Sequence, residues 1–217
     1  MLASAQREAG LSEAEGHVVL EILTGTGHAF AAGLNAYIPM LLLGLGARFL
    51  DFVQLPAGWA WLENEWVLGI LGVLLVIEFF ADKIPAVDSV NDVIQTVVRP
   101  ASGGIVFGSG SASETAAVTD PPAFFSSNQW VPIVTGVVIA LLVHGAKTAV
   151  RPALNVATFG IAAPVLSFFE DVSSVFLSVF ALLVPVLVVV AVAGLVVLFV
   201  VLLRKRRMAA TRTISAG

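Results

Sequence analysis

Long apolar segments alternate along the chain with short segments that are polar or rich in glycine and proline. Apolar runs of about 20 residues are typical of membrane-spanning helices. The first apolar segment, residues 17–50, is too long for one simple span, and Gly25-Thr26-Gly27 is predicted to divide it. A short helix is expected near 14–24. The predicted full spans, four in number, cover residues 28–49, 66–82, 130–150 and 174–203.

Between these spans lie weaker segments. Ile84-Pro85 is expected to break the helix that ends the second span, because proline restricts the residue before it. Residues 86–98 then form an amphipathic helix that lies in the membrane interface or packs back into the bundle. Arg99-Pro100 is expected to end it, and Pro152 is expected to kink or end the helix of the third span, which would place Asn155 on a new segment. Residues 101–117, rich in Gly, Ser and Ala, predict a re-entrant half-helix, and residues 156–171 form a second mildly apolar piece.

Composition strengthens the membrane interpretation. Of the 217 residues 58% are hydrophobic, and the mean hydropathy is +0.97, whereas apolar residues make up about half of an ordinary soluble domain. One all-α polytopic domain is expected over residues 17–203, with a polar lead-in at 1–16 and a basic cytoplasmic tail at 204–217. The net charge of −4 argues against nucleic acid as a partner, and the absence of cysteine excludes disulfides and thiolate metal sites.

The distribution of basic residues predicts the orientation. With four spans and a cytoplasmic C-terminus, eight Lys and Arg residues fall on the cytoplasmic side and three on the other. If residues 101–117 also spanned the membrane, the division would be six against five. The excess of positive charge on cytoplasmic loops favours four spans, a re-entrant middle and both termini in the cytoplasm of an inner-membrane protein.

Two short similarities suggest an internal repeat. Val98-Arg99-Pro100-Ala101 resembles Val150-Arg151-Pro152-Ala153, and Phe79-Phe80-Ala81-Asp82 resembles Phe168-Phe169-Glu170-Asp171. Repeats that contain broken helices are typical of transporters. Matches of four residues in a chain of low diversity are weak support, so a chance similarity is the alternative.

Charged and amide side chains in the apolar region are the candidate site, because such groups are costly in a membrane unless they are paired, interfacial or functional. Glu78 and Asp82 lie one helical turn apart, where they could share a cation or a proton. The basic groups beyond residue 140 could hold an anion or relay protons. The candidates for an ion or ligand pathway are Asn35, Glu78, Asp82, Lys83, Asp88, Arg99, His144, Lys147, Arg151 and Asn155.

Each of these residues also has a structural interpretation. Six acids and four bases lie in the core region, so mutual neutralisation in an interhelical network is as good an explanation as a transport site. Asn35 and Asn155 could coordinate a ligand, but hydrogen bonding between helices is the favoured alternative. No His-Glu-x-x-His or similar zinc motif, phosphate-binding loop or serine-hydrolase motif is present. No metal, cofactor or catalytic residue is predicted.

Several of these residues fall in motifs that resemble a known family. The motifs are Ala32-Gly33-Leu34-Asn35-Ala36-Tyr37, Ala81-Asp82-Lys83-Ile84-Pro85 with Asp88, Arg99-Pro100, and His144 with Lys147 and Arg151. Together they resemble the bacterial membrane family called domain of unknown function 4126, over roughly residues 25–175. The resemblance implies an integral membrane protein and brings no activity.

The predicted function is a small membrane transporter or channel for an ion or small solute. Four spans are few for a solute pathway, so a homo-oligomer in the lipid bilayer is expected. The alternative is a membrane scaffold or envelope-organising protein whose charges only hold the helices together, with a lipid-modifying enzyme in third place.

Overall fold

The computed structural model describes residues 2–110, 128–159, 161–184, 194–197 and 200–201. Its elements are α1 (Leu2–Leu34), α2 (Tyr37–Phe49), a 3₁₀ helix (Ala57–Glu63), α3 (Glu65–Ala81), α4 (Pro85–Gly110), α5 (Trp130–Ala157) and α6 (Ala162–Leu183). No strand occurs in the described ranges. The all-α prediction is therefore confirmed.

Two of the described helices are long and apolar enough to cross a membrane, Trp130–Leu154 within α5 and Ala162–Leu183, which is α6. A third candidate span is the pair formed by the 3₁₀ helix and α3, whose axes meet at 62°. Helix α2 is apolar but shorter than a full span. Two to three candidate spans are thus present, and the prediction of four full spans is not confirmed.

The break in the first apolar segment was predicted at the wrong place. Helix α1 continues through Gly25-Thr26-Gly27 and ends at Leu34, so the helix near 14–24 and the span from 28 are not separate elements. Gly25 packs against the ring of Phe107 instead of opening a turn. The chain breaks at Asn35, whose side-chain oxygen accepts hydrogen bonds from the backbone N–H of Tyr37 at 3.0 Å and of Ile38 at 3.2 Å. A side-chain cap of this kind satisfies free backbone N–H groups in the first turn of α2.

The region after Pro85 also differs from the prediction. The break at Ile84-Pro85 is confirmed, since α3 ends at Ala81 and α4 begins at Pro85. However, Arg99-Pro100 does not end α4, which runs to Gly110 with Pro100 inside it. Residues 101–110 are therefore the second half of one long helix and not a separate half-helix, and residues 111–117 lie outside the described residues. Proline within a helix is tolerated when neighbouring groups satisfy the freed carbonyl.

The C-terminal predictions need two further corrections. Pro152 does not end α5, which continues to Ala157, so Asn155 stands on the same helix as Arg151. Glu170 and Asp171 do not precede the last span but lie in the middle of α6. Of the predicted last span at 174–203, only residues 174–184, 194–197 and 200–201 belong to the described chain, and Pro185 and the basic tail fall outside it.

Small residues allow the central helices to approach closely. Helix α4 packs most extensively against α5, and α1 packs against α4, α5 and α6. A Cβ atom added to Gly103 would lie 2.6 Å from the carbonyl oxygen of Gly136, and one added to Gly136 would lie 2.5 Å from the Cβ of Phe107. Glycine at such crossings lets backbones meet, as it does in membrane helix pairs. The α4–α5 contact therefore requires these glycines.

The polar side of α4 faces inward and its apolar side faces outward. Gln95 and Arg99 are 1% and 0% exposed, whereas Val90 and Val97 are 65% and 72% exposed. A soluble protein shows the opposite arrangement, because water solvates the polar face. Helix α4 therefore packs into the bundle rather than lying on its surface, and its outer valines suit contact with hydrocarbon.

The close α4–α5 crossing leads to a test. Gly136→Ala is expected to lower the free energy of unfolding by about 1–3 kcal/mol, because the added methyl overpacks the contact with Gly103 and Phe107. Thermal unfolding followed by circular dichroism in detergent micelles measures the change. Gly145→Ala is the control on the same helix, since no atom lies within 4 Å of its added Cβ. This control is expected to be neutral or stabilising, and equal losses for the two variants would contradict the packing described.

Candidate functional site

Helices α3, α4, α5 and α6 bring most of the predicted polar residues into one buried ion-pair network. Its members are Glu78, Asp82, Asp88, Arg99, Lys147, Arg151 and Glu170. The side chains of these residues are at most 3% exposed, except that of Glu170 at 14%. The sequence placed these groups on four separate segments, and the fold joins them.

Arg99 occupies one end of the network and is completely buried. Its Nη2 lies 2.8 Å from Glu78 Oε1 and 3.6 Å from Asp82 Oδ2. Its Nη1 donates a hydrogen bond of 3.3 Å to the carbonyl oxygen of Gly33, at the end of α1. One guanidinium is thus shared by two carboxylates and by the backbone of a broken helix.

Lys147 and Arg151, one turn apart on α5, occupy the other end. Lys147 Nζ lies 3.1 Å from Asp82 Oδ2 and 3.0 Å from Glu170 Oε2. Arg151 Nη2 lies 2.6 Å from Glu170 Oε2, its Nη1 pairs closely with Asp88 Oδ1, and the same guanidinium is 3.6 Å from Asp82. Glu170 therefore receives two bases at once, which fixes α6 against α5.

Asp82 is the centre of the network. Its Oδ2 faces Arg99, Lys147 and Arg151, and its Oδ1 accepts a hydrogen bond of 2.7 Å from Asn91 Nδ2. Because Asp82 is the C-cap residue of α3, it lies at the helix end, where bases of α4 and α5 can surround it. A carboxylate that is so paired can stay ionised away from water.

His144 lies beside Arg99. The Nη1 of Arg99 is 3.5 Å from His144 Nδ1, and Thr96 Oγ1 is 3.1 Å from His144 Nε2. Since arginine only donates hydrogen bonds, Nδ1 is the acceptor, and Nε2 carries the proton and donates to Thr96. Thr96 in turn donates to the Asp92 carbonyl at 2.8 Å. His144 therefore extends the network from Arg99 towards Asp92.

Asn35 and Lys83 meet at a separate carboxylate, Asp171. Asn35 Nδ2 donates a hydrogen bond of 2.9 Å to Asp171 Oδ1, and Lys83 Nζ is 3.8 Å from Asp171 Oδ2. Lys83 also donates to the carbonyl of Phe79 at 2.9 Å and lies over its ring. The hydrogen bonding between helices that was considered for Asn35 is thus observed. Asn155 is part of α5, but its side chain lies outside the described residues.

Other polar groups were not singled out from the sequence. Ser174 Oγ donates to the Ala31 carbonyl at 3.0 Å, and Ser102 Oγ donates to the Ala36 carbonyl at 2.6 Å. These two hydroxyls donate to backbone carbonyl oxygens around the break at Asn35. A buried carbonyl oxygen without a hydrogen bond is costly. A serine in an apolar helix does not by itself mark a site residue in the sequence. Glu170 and Asp171 could have been found, because they are two adjacent carboxylates inside an apolar segment.

The polar faces of α4 and α5 have the same spacing. Asp92, Gln95 and Arg99 correspond to His144, Lys147 and Arg151, at intervals of three and four residues. In both helices the arginine precedes an internal proline, and a threonine three positions before the arginine bonds to the carbonyl four residues earlier. Arg99 and Arg151 therefore enter the network from equivalent helical positions.

Negative charge is in excess in this region. The acids Glu78, Asp82, Asp88, Asp92, Glu170 and Asp171 number six, against the four bases Lys83, Arg99, Lys147 and Arg151. Three oxygens of these acids, Glu78 Oε2, Asp92 Oδ1 and Asp171 Oδ2, are buried with no hydrogen-bond partner among the described residues. An uncompensated carboxylate oxygen in such a place can take up a proton or a cation. No group of three His, Asp or Glu residues in the described ranges is arranged to hold a metal ion.

Comparison with known families places this site in context. The sequence profile of the family described as Domain of unknown function (DUF4126) matches residues 22–205. The chain belongs to this family. The resemblance inferred from the motifs is therefore confirmed, and the match extends past residue 175 through most of the last apolar segment. No curated protein and no solved structure matches the chain. Family membership thus brings no activity, and functional inference depends on the site itself.

Burial makes the network sensitive to loss of one partner. Arg151→Met is expected to lower the free energy of unfolding by about 3–5 kcal/mol, because Asp88 and Glu170 lose their main cation. Arg48→Met removes an exposed pair, Arg48–Glu65 at 3.3 Å, and is expected to cost no more than about 1 kcal/mol. Thermal unfolding of both variants in detergent measures the difference. Similar small losses would mean that the buried pairs contribute no more than a surface pair.

The asparagine at the α1–α2 break leads to a second test. Asn35→Ala removes the cap of α2 and the bond to Asp171, so a loss of about 2 kcal/mol or more is expected. Asn64→Ala is the matched control, since exposed Asn64 caps α3 through one bond of 2.9 Å to Trp66. Its loss is expected to be about 1 kcal/mol. Unfolding midpoints in micelles compare the two, and an Asn64→Ala loss as large as that of Asn35→Ala would contradict this role.

Proposed function

We propose that the protein is a small proton-coupled membrane transporter whose buried ion-pair network carries the coupling proton. The observation that supports this function best is the sharing of Arg99 between Glu78 at 2.8 Å and Asp82 at 3.6 Å. An intramembrane ionisable residue is by default a functional candidate. A base that is hydrogen-bonded to one carboxylate and close to a second has an alternative partner, which is the kind of element that a proton can switch.

The proposed cycle uses groups that are already in contact. A proton that binds the unpaired Oε2 of Glu78 removes its negative charge and weakens the Arg99–Glu78 pair. Arg99 then pairs fully with Asp82. As a result, Asp82 attracts Lys147 and Arg151 less strongly. These two bases shift towards Glu170 and Asp88, so the change on α3 reaches α5 and α6. Loss of the proton reverses these steps.

Equivalent positions of Arg99 and Arg151 in α4 and α5 support an internal repeat of the kind that transporters use. We propose four full spans in the inner membrane of a bacterium, with both termini in the cytoplasm. A homo-oligomer is proposed because a few helices per chain enclose little space for a solute.

A second candidate is a membrane scaffold in which the same charges only lock helices together. It is favoured by the pairing within the network, since each of its carboxylates contacts at least one base. Buried pairs of this kind can specify one arrangement of helices without taking part in transport. This candidate predicts no flux at all.

Proton flux tests the proposed function. In liposomes with a pH-sensitive dye inside, wild type is expected to dissipate an imposed pH gradient, and Glu78→Gln is expected to reduce the rate about tenfold or more because its side chain cannot take up the proton. Glu65→Gln, a change at an exposed position on the same helix, is expected to keep the wild-type rate. Asp82→Asn is expected to impair flux as well.

Folding must be measured alongside flux. Size-exclusion profiles and circular dichroism show whether Glu78→Gln retains the wild-type fold. A folded Glu78→Gln protein with unchanged flux would exclude the proton-carrying role of Glu78. Absence of flux in wild type, together with unfolding of both Glu78→Gln and Asp82→Asn, would instead favour the scaffold.

A further inference from the structure

The bundle has two ends, between which α3 to α6 run up and down. We call the first the tryptophan end, because it holds the 3₁₀ helix with Trp59 and the start of α5. A Cβ atom added to Gly108, near the end of α4, would lie 3.0 Å from the ring of Trp59 and 3.1 Å from Ile133 of α5. The opposite, or turn, end holds the α3–α4 turn at 82–84 and the α5–α6 turn at 158–161.

Helix α1 approaches the ion-pair network from the tryptophan end. Gly25 packs against the ring of Phe107 near that end, whereas the Gly33 carbonyl accepts a hydrogen bond from Arg99 in the network. The last part of α1 therefore runs antiparallel to the second half of α4. From Gly25 to Leu34 the helix rises about 14 Å, which is about half of the hydrocarbon thickness of a membrane.

Helix α2 returns from the network to the same end. Its start lies beside the network, where Ser102 of α4 donates to the Ala36 carbonyl at 2.6 Å. In its last turn Arg48 donates to the Glu63 carbonyl of the 3₁₀ helix at 3.0 Å. Helices α1 and α2 thus form a hairpin with its tip at Asn35. Such a break is tolerated at membrane depth where it is buried in protein.

Contacts with α6 give the same direction for both arms of the hairpin. Asn35 at the tip bonds to Asp171 in the middle of α6. Further along α6, Ser174 donates to the α1 backbone at 3.0 Å. Near the end of α6, Leu182 would lie 3.6 Å from a Cβ atom added to Gly46 of α2. Both arms therefore lie along the half of α6 that leads to the tryptophan end.

Apolar side chains fill this half of the bundle. Met40 and Leu43 of α2 pack with Leu71 of α3 and Val106 of α4 in one buried cluster, and each of them is at most 7% exposed. Water and ions are poorly solvated by such a cluster. The cluster therefore separates the network from the tryptophan end.

The hairpin itself offers little to carry a proton. Residues 22–47 contain no Asp, Glu, Lys or Arg. His28 is completely buried, and its Nδ1 lies 2.9 Å from the Thr24 carbonyl of its own helix. The arms of the hairpin thus close the bundle without a charged side chain.

Polar groups reach the surface at the turn end instead. The side chains of Lys83 and Asp171 are 23% and 15% exposed, whereas those of Glu78 and Arg99 are at most 1% exposed. Lys83 lies in the α3–α4 turn, and its Nζ is 3.8 Å from Asp171 Oδ2, an oxygen with no hydrogen-bond partner among the described residues. This loosely held pair therefore forms a polar opening at the turn end.

We propose that α1 and α2 form a re-entrant hairpin that enters the membrane at the tryptophan end and closes it, so that Glu78 exchanges protons through the turn end, past Lys83 and Asp171. This inference rests on the proposed function and adds the route of the proton. A proton on Glu78 reaches the tryptophan end when the tip of the hairpin moves. Arg99 links the two events, since its shift in the proposed cycle changes its hydrogen bond to Gly33 at the tip.

Single-cysteine labelling tests the hairpin, since the chain has no cysteine of its own. Full-chain variants in bacterial spheroplasts are treated with a membrane-impermeant maleimide before or after permeabilisation. Gly16→Cys and Asp51→Cys, at exposed positions beyond the two arms, are expected to label from the same side. Ile84→Cys and Phe159→Cys, at exposed positions in the two turns, are expected to label from the other side.

Two outcomes of this labelling would overturn the hairpin. Labelling of Gly16→Cys and Asp51→Cys from opposite sides would mean that the first apolar segment spans the membrane. Labelling of Asp51→Cys and Ile84→Cys from the same side would mean that α3 does not connect opposite sides.

Reactivity of a buried position tests the closure. Membranes of each orientation are treated with a small, impermeant methanethiosulfonate. Lys83→Cys is expected to react from the turn side and Asp51→Cys from the tryptophan side. Leu43→Cys is expected to react at least about tenfold more slowly than either, because a buried thiol reacts only when the structure opens locally. A Leu43→Cys protein of wild-type elution volume that reacts from the tryptophan side as fast as Asp51→Cys would overturn the closure.

The same modified proteins test the route. Attachment of the reagent to Lys83→Cys is expected to remove most of the proton flux, because the added group blocks the opening beside Asp171. Attachment to Asp51→Cys is expected to leave the flux unchanged. Equal flux before and after attachment to Lys83→Cys would overturn the route through the turn end.

Dependence of the flux on Glu78 separates this inference from the proposed function. Labelling of Gly16→Cys and Asp51→Cys from opposite sides, in a protein with Glu78-dependent flux, would overturn the hairpin alone. Labelling as expected, in a protein whose flux does not depend on Glu78, would overturn the proposed function alone.

Discussion

The structure depends on one constraint, which is that charges placed inside an apolar bundle must neutralise one another. Removing a carboxylate or a guanidinium from water costs several kcal/mol even after relaxation. Asp82 meets this constraint at the centre, where one oxygen faces Arg99, Lys147 and Arg151 at 3.1–3.6 Å. Since these bases stand on α4 and α5, pairing with Asp82 fixes the end of α3 against both helices.

Backbone geometry is linked to the same network. The break between α1 and α2 exposes carbonyl groups in the middle of the bundle, and Ser174, Arg99 and Ser102 donate to the oxygens of Ala31, Gly33 and Ala36. Asn35 connects the break to α6 through Asp171. The same Arg99 that neutralises Glu78 thus supports a broken helix. Any shift of Arg99 between Glu78 and Asp82 would also change its hydrogen bond to Gly33 at the α1–α2 break.

Much of the candidate site was predictable from the sequence, because ionisable residues in apolar segments are few and each of them needs a partner. Of the candidates for the site, Glu78, Asp82, Asp88, Arg99, Lys147 and Arg151 lie in one network, whereas Asn35 and Lys83 meet at Asp171. Which acid pairs with which base was not predictable. Asp171 pairs with Lys83 and Asn35, while its neighbour Glu170 pairs with Lys147 and Arg151, because adjacent residues on a helix point in different directions.

Sequence alone determined the all-α class, the apolar segments, the break at Pro85 and the family, since these follow from local composition, periodicity and motifs. Tertiary structure decided where helices end in a packed environment. Gly25 and Gly27 did not break α1, and Pro100 and Pro152 did not end their helices, because neighbouring helices fill the space beside a glycine and satisfy backbone groups that a proline frees. The tertiary structure also decided that the polar face of α4 turns towards the inside of the bundle. A face of Asp88, Gln95 and Arg99 is compatible with water or with a buried partner, and only the positions of Glu78 and Arg151 on other helices selected the latter.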